Sequence, residues 1–276
     1  MADLPRIKEQ ITNKLHILDI GAFEIQEKHE IILCFIITER KDETNSFHRV
    51  KNVTFKKCIF SGQVIKNINF YGCDFVDCIF NGITIDSCEF HKCVIKNSCF
   101  YKPTISNTYI DPKSFKFNYK WYRYYANVNA GLFQSLYRNS KDVHQEKFAM
   151  RADIKFLFYK RYENLFGQQK NIGKFITGFL FDILLGCGYG IVNVLFFTLT
   201  SIAGFAWLIK DFISPAENIN LVKSLYFSIA SFTTVGYGDL VPNKTDTALI
   251  LTMIFLLSSV IWCALVTAII VKRIVK

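Results

Sequence analysis

The sequence predicts a multidomain membrane protein. Its parts are an N-terminal square β-solenoid, an α-helical linker and an all-α C-terminal part with two membrane spans. Three observations carry this: a strict five-residue repeat over residues 50–118, two late apolar runs long enough to cross a bilayer, and a basic block just before the first run. Composition narrows the classes further. The 276 residues are 51% hydrophobic, with 27 Phe, which excludes intrinsic disorder. Five Pro and 14 Gly exclude collagen-like and Pro-rich chains. Nine Cys, an odd number in a long chain, do not fit a secreted disulfide scaffold. The net charge of +10 by itself points to nucleic acid or anionic lipid.

The charge is unevenly spread. Residues 1–49 carry 7 Lys/Arg against 9 Asp/Glu, net −2, and residues 50–118 carry 9 against 5, net +4. Residues 119–179 carry 11 against 4, net +7, and residues 180–276 carry 6 against 5, net +1. The basic block therefore lies beside the most apolar stretch, the positive-inside pattern of a cytoplasmic membrane face. No nucleic-acid motif accompanies it, so no nucleic-acid partner is expected. Met1-Ala2-Asp3-Leu4-Pro5-Arg6 has no apolar core before a small-residue site, so no signal peptide is expected. The run Ile31-Ile32-Leu33-Cys34-Phe35-Ile36-Ile37, bounded by Glu30 and Glu39-Arg40-Lys41, is too short to span and reads as one buried strand in an N-terminal cap, residues 1–49.

Between 50 and 118, every fifth residue is large and apolar: Phe55, Phe60, Ile65, Phe70, Phe75 and Phe80, then Ile85, Phe90, Ile95, Phe100, Ile105 and Ile110. Two residues before each runs a second column, mostly small or apolar, which holds Cys58, Cys73, Cys78, Cys88 and Cys93. The remaining positions are largely Lys, Asn, Asp, Ser and Gly. Neither a helix (period 3.6) nor a strand (period 2) produces this pattern. A chain that turns a corner every five residues does, with both columns inward and four sides per coil. This register resembles the pentapeptide-repeat family, which implies a right-handed quadrilateral β-helix. Twelve repeats predict three coils. Both ends need capping, the first by the strand at 31–37 and the last by the aromatic run after Ile110. The alternative for the Cys column, a metal or redox site, lacks any CxxC or clustered His. Cys99 has the outward phase and is expected to be the reactive thiol. The segment's net positive charge argues against the acidic DNA mimicry of some relatives.

Residues 119–170 read as a helical hairpin linker. Trp121, Tyr125, Val128, Leu132 and Leu136 form one amphipathic stripe, Asn139-Ser140-Lys141-Asp142 a turn, and Phe148, Ala152, Phe156 and Tyr159 a second stripe ended by a Gly167 stop. A packed connector is the expectation and an effector-sensing module its alternative. Residues 171–189 read as an interfacial helix, with Ile172, Phe175, Ile176, Phe179 and Leu180 on its apolar face. Gly186-Cys187-Gly188-Tyr189-Gly190 breaks it.

Residues 190–276 contain spans at 191–209 and 248–271, the second closed by Lys272-Arg273. Between them stands Thr233-Thr234-Val235-Gly236-Tyr237-Gly238-Asp239. This loop resembles the selectivity filter of two-transmembrane potassium channels. A potassium ion must shed its water, so closely spaced backbone carbonyls replace it. Successive carbonyls point inward only if left-handed backbone alternates with right-handed, which Gly236 and Gly238 permit. The resemblance implies ion sites from the carbonyls of Thr234, Val235, Gly236 and Tyr237, with the Thr234 hydroxyl innermost, Gly238 completing the filter and Asp239 at the outer mouth. It also implies a pore helix over 222–233, with Tyr226 and Phe227 in an aromatic cuff, and assembly of four chains. Three departures stand out. Ala230 occupies the place of a buried Glu behind the filter, Ser258-Ser259 replace the mid-helix glycine and are the candidate gate region, and no voltage-sensor pattern is present.

The function expected is passive potassium conduction through a homotetrameric pore in the cell membrane, both termini cytoplasmic, tuned by the repeat domain and an unknown cytoplasmic regulator. Potassium ions are the cargo and no cofactor is expected. The alternative is a membrane-anchored scaffold whose solenoid binds a partner. No nucleophile–base pair or P-loop suggests an enzyme.

Overall fold

The computed structural model describes residues 4–20, 29–38, 47–168, 170–214 and 219–274. Met1-Ala2-Asp3 and the Glu39-Arg40-Lys41 boundary lie outside these residues, as do the side chains of Lys272 and Arg273. The chain forms two compact units, Met1–Gly178 and Phe179–Lys276.

The N-terminal unit is a parallel β-solenoid followed by helices. Each coil takes 20 residues, so Phe55 pairs in register with Phe75, and Phe75 with Ile95. Three faces are ladders of short parallel strands, and the fourth is held by single bridges through Ile59, Ile79 and Cys99. All twelve residues of the five-residue column are buried. Their rings stack coil on coil: Phe55 on Phe75 at 5.0 Å, Phe60 on Phe80 at 4.5 Å and Phe80 on Phe100 at 4.3 Å. The spacing follows from strands about 4.8 Å apart, which brings identical side chains into offset stacking.

The corners explain the polar positions. From Asn52 to Asn107 every fifth residue has φ between +46° and +69°. This left-handed backbone costs an L-residue roughly 1–2 kcal/mol, least for Gly and Asn, and three Gly and four Asn fill these twelve corners.

The solenoid is longer than the repeat alone predicts. One face stacks five strands, from His29–Ile32 to Phe115–Lys116, so the stack has four turns rather than three. The run at 31–37 is also two strands, His29–Ile32 and Cys34–Ile37, parted by a corner at Leu33 with φ +55°. Ile31 and Ile36 are thus a first pair of inward residues, and Phe115 is a last one. At the first end, strand Asn13–His16 lies parallel to Cys34–Ile37.

The helices cap the other end. They are α1 (Tyr119–Tyr124), α2 (Ala126–Asp142) and α3 (Glu146–Phe166). Leu132, Phe133, Leu136 and Ala152 join the solenoid's own core. Polar groups at the last coil are met in turn. Asn139 exchanges two hydrogen bonds with the Thr108 backbone (3.0 and 2.7 Å), and Ser135 donates to the Pro103 carbonyl at 3.1 Å. Lys155 donates to the carbonyls of Pro112 and Phe115 at 2.8 and 2.9 Å. Capping falls to helices because an open coil end exposes a row of unpaired backbone groups.

Two expectations for the linker are corrected, and the Gly167 stop holds with an extended backbone. The first stripe is broken at Tyr125 (φ −124°), which separates α1 from α2. Residues 139–142 are helical, and the turn falls at Val143–Gln145, where His144 is left-handed (φ +55°). Gly167 ends α3 in extended backbone rather than left-handed. A Cβ there would lie 2.4 Å from the Glu163 carbonyl oxygen, so only glycine lets the chain leave the helix this way.

Cys99 is a further correction. It is 1% exposed, donates to the Asn81 side-chain oxygen at 3.2 Å, and burial pushes its thiol up to about 12. Its outward phase directs it onto the bridged face, where Trp121 of α1 and Val128 of α2 cluster with it. The inward thiols of Cys58, Cys73, Cys78, Cys88 and Cys93 each donate to a backbone carbonyl of the preceding coil. Cys78 donates to the Phe55 carbonyl at 3.3 Å and Cys93 to the Phe70 carbonyl at 3.4 Å. Burial pushes the Cys88 thiol up to about 12. No group of His, Cys, Asp or Glu able to hold a metal ion occurs among the described residues.

Candidate functional site

The C-terminal unit is mainly helical. Helix α4, Ile172–Leu185, leads into it and ends at Gly186, Cys187 and Gly188, all three left-handed. Helices α5, Ile191–Ile209, and α7, Asp246–Ile274, flank the short apolar helix α6, Leu221–Phe232. The segments Ile191–Phe212 and Asp246–Val271 are apolar and long enough to cross a membrane. Only 17% and 22% of their most apolar windows are buried within the chain. A core helix of a soluble protein would bury far more, so these surfaces suit lipid or further chains.

Aromatic packing holds α6 between its neighbours. The rings of Phe205 on α5 and Phe255 on α7 stack at 3.8 Å, and Phe227 and Phe232 of α6 lie 6.2 and 6.1 Å from them. Asn220 caps α6, its side chain accepting the Lys223 backbone N–H at 2.9 Å. The ends of the loop close on each other through the antiparallel pair of Ile213–Ser214 with Val241–Pro242.

The signature loop leaves the C-terminus of α6, where the last carbonyls carry the negative end of the helix dipole. Thr234, Gly236 and Gly238 have φ of +57°, +55° and +81°, while Val235 and Tyr237 between them do not enter that region. Successive residues therefore alternate in handedness. The first turns of this strand are tied to the helix: Thr234 N–H donates to the Ser231 carbonyl at 3.1 Å, and Val235 and Gly236 both donate to the Ala230 carbonyl at 3.0 and 3.3 Å. Buried Ala230 thus anchors the loop through its backbone carbonyl. The left-handed Thr234 and the anchoring carbonyls of Ala230 and Ser231 escaped the sequence reading, which counted only glycines as left-handed. The two-residue spacing of Thr234, Gly236 and Gly238 was the available signal.

The aromatic pair divides its work. Phe227 is buried among α5 and α7, whereas the Tyr226 ring lies parallel to that of Tyr237 at 6.2 Å. Asp239 lies near enough to the Tyr226 side chain to act on it electrostatically. Residues 233–239 are all exposed in the single chain. Ser258 and Ser259 on α7 donate back to the carbonyls of Phe255 and Leu256 at 2.9 and 2.8 Å, a pattern that loosens and bends helices.

Comparison with known proteins agrees with this geometry. A family model described as an ion channel matches residues 193–276. Two-pore potassium channel 1 of Arabidopsis thaliana is 48% identical over 44 residues, which is 16% of this chain and 12% of that protein. Two-pore potassium channel 4 of the same plant is 43% identical over 53 residues, 19% and 18% of the two chains. A hyperpolarization-activated voltage-gated potassium channel of Methanocaldococcus jannaschii is 38% identical over 73 residues, 24% and 34%. The aligned regions span between 12% and 34% of these relatives' own lengths. Residues 193–276 are accordingly an ion channel domain, carried in one chain behind an N-terminal solenoid of the pentapeptide-repeat kind.

Proposed function

We propose that this protein is a potassium-selective channel, with permeant potassium as cargo. The alternation of handedness at Thr234, Gly236 and Gly238 carries the proposal. A strand of that geometry turns successive carbonyls to one side, and a ring of such strands replaces the hydration shell of a desolvated cation. The carbonyls of Thr234, Val235, Gly236 and Tyr237 form the ion sites, Gly238 closes the filter, and Asp239, near Tyr226, stands at the outer mouth. One loop cannot encircle an ion, so four copies surround a common axis. The exposure of residues 233–239 in the isolated chain supports this, since a filter strand is covered by its neighbours and by ions rather than by its own chain.

Under this reading α5 and α7 cross the cell membrane with both termini cytoplasmic, and α4 lies at the interface. The Ser258–Ser259 region supplies the bend for opening. The solenoid acts as a cytoplasmic body joined in sequence to α4 through the segment after Gly167, and regulates opening through it. Purified protein reconstituted in liposomes should pass potassium far faster than sodium. Equal flux of both ions, or none of either, would overturn the proposal.

A further inference from the structure

The N-terminal unit holds a cleft of about 1470 Å³ that the channel reading does not use. Its floor is the bridged face of the solenoid, with Ile59, Ile79, Asn81 and Tyr101. Its walls are residues 4–7, the α1–α2 junction, and the segment joining α3 to the first turn of α4. That volume exceeds the roughly 300–1,000 Å³ of common ligand sites.

The lining is unbalanced in charge. Arg6, Arg123, Lys160, Lys170 and Lys174 face one carboxylate, Glu163. Lys160 already engages Glu163 at 3.0 Å. Among the described residues no carboxylate forms an ion pair with Arg6, Arg123, Lys170 or Lys174. Four like charges around one concavity repel one another, and an incoming anion relieves this.

The lining is also aromatic: Tyr101, Tyr124, Tyr125 and Phe166 share it. Arg123 joins the two features. Its guanidinium lies 5.5 Å from the centre of the Tyr124 ring and 5.9 Å from that of Phe166. Ring contacts hold the arginine in place without neutralising it, which leaves most of its planar fork free for a phosphate. Asn127, Asn164 and Gln168 add side-chain amides at the same wall. Cations, flat rings and amides together fit a ligand with a phosphate, a planar ring and hydrogen-bonding ring edges.

We propose that this cleft binds a nucleoside phosphate, the phosphates on Arg123 and Lys174 and the base against the tyrosines. Lys174 belongs to the first turn of α4, so an occupant links the solenoid face to the helix that continues toward the first span. The proposal stands on the cleft alone and does not depend on conduction.

The test is calorimetric titration of the full chain in neutral detergent with ATP, pyrophosphate, adenosine and dioctanoyl phosphatidate. ATP should bind saturably, with pyrophosphate roughly tenfold weaker and adenosine weaker again. Arg123→Gln and Lys174→Gln should each weaken ATP roughly tenfold, and both side chains are exposed, so folding is unaffected. Absence of saturable ATP binding would overturn the proposal, as would equal affinity for ATP and pyrophosphate, which marks a mere charged patch. Tighter binding of the phosphatidate than of ATP would assign the cleft to a lipid headgroup and also overturn it. Wild-type affinity in both variants would place any binding elsewhere. Potassium flux in liposomes, measured alongside, reports separately on the channel reading.

Discussion

Trp262 of α7 donates its indole N–H to the hydroxyl of Thr198 on α5 at 2.8 Å, and Thr198 donates in turn to the Val194 carbonyl of its own helix. The Trp262 ring also lies 4.5 Å from that of Phe197. Between two apolar helices with no hydrophobic drive to associate in lipid, such a hydrogen bond is among the few specific ties available. A double-mutant cycle of Trp262→Phe with Thr198→Val should therefore return a coupling of about 0.6–1.7 kcal/mol in detergent unfolding. Additive effects would mean that packing alone joins the spans.

The solenoid's stability should be divided between stacked rings and corners. Phe75 is 1% exposed, stacks on Phe55 of the preceding coil and meets Phe70 and Phe80 edge-on, so Phe75→Ala should cost about 3–5 kcal/mol in thermal or denaturant unfolding. At the corner, Asn67 has φ +55°. Asn67→Val should cost about 1–2 kcal/mol and Asn67→Gly almost nothing, because only the branched side chain is excluded from left-handed backbone. Equal costs for the two corner variants would show that the corner's handedness is not what matters there.

Lys155 imposes a pH dependence. Burial pulls its ammonium down to about 8 from the ordinary 10.5, against the opposing influence of Asp111. The depressed value means that the charged form is disfavoured in the fold, and the penalty is fully present below pH 8. It is relieved as pH rises from about 8 to 10.5, where the unfolded chain holds the extra proton, so stability rises with pH across that window. The gain is on the order of 3 kcal/mol and should be missing from the stability–pH profile of Lys155→Met. A wild-type profile that falls across the same window relative to the variant would contradict this.

Gly238 should be required for flux but not for folding. Its φ is +81° and a Cβ there would meet no atom of the same chain within 4 Å. Gly238→Ala should leave expression and helix content unchanged while strain in the strand removes potassium-selective flux in liposomes. Retained flux would sever the left-handed geometry from conduction. A scaffold protein would keep its phenotype with this substitution.

Thiol accessibility offers an independent check on the solenoid. Cys99, Cys78 and Cys88 are buried with thiols pushed upward by burial. They should resist iodoacetamide at pH 8 in the folded chain and react once it is denatured. Rapid labelling of Cys99 in the native protein would restore the outward placement that its phase suggests.

The sequence by itself determined the period of the solenoid, the two apolar helices and the position of the signature loop. Each is a local record of which residues must leave water or take an unusual backbone. The inward column from Phe55 to Ile110 is buried at every position, and helix α5 occupies the span read from the apolar run. Tertiary structure decided the rest. Ile31, Ile36 and Phe115 extend the stack to four turns because pairing partners 20 or more residues away, not the local spacing, admit a strand to the ladder. Cys99 is buried because Trp121 and Val128 of the linker helices pack with it, and the last coil is capped by α2 and α3 because those helices bring Asn139 and Lys155 to its unpaired carbonyls. Left-handed Thr234, anchored by the carbonyls of Ser231 and Ala230, shows the same division. Residue type permits a conformation, and contacts between distant parts of the chain select it.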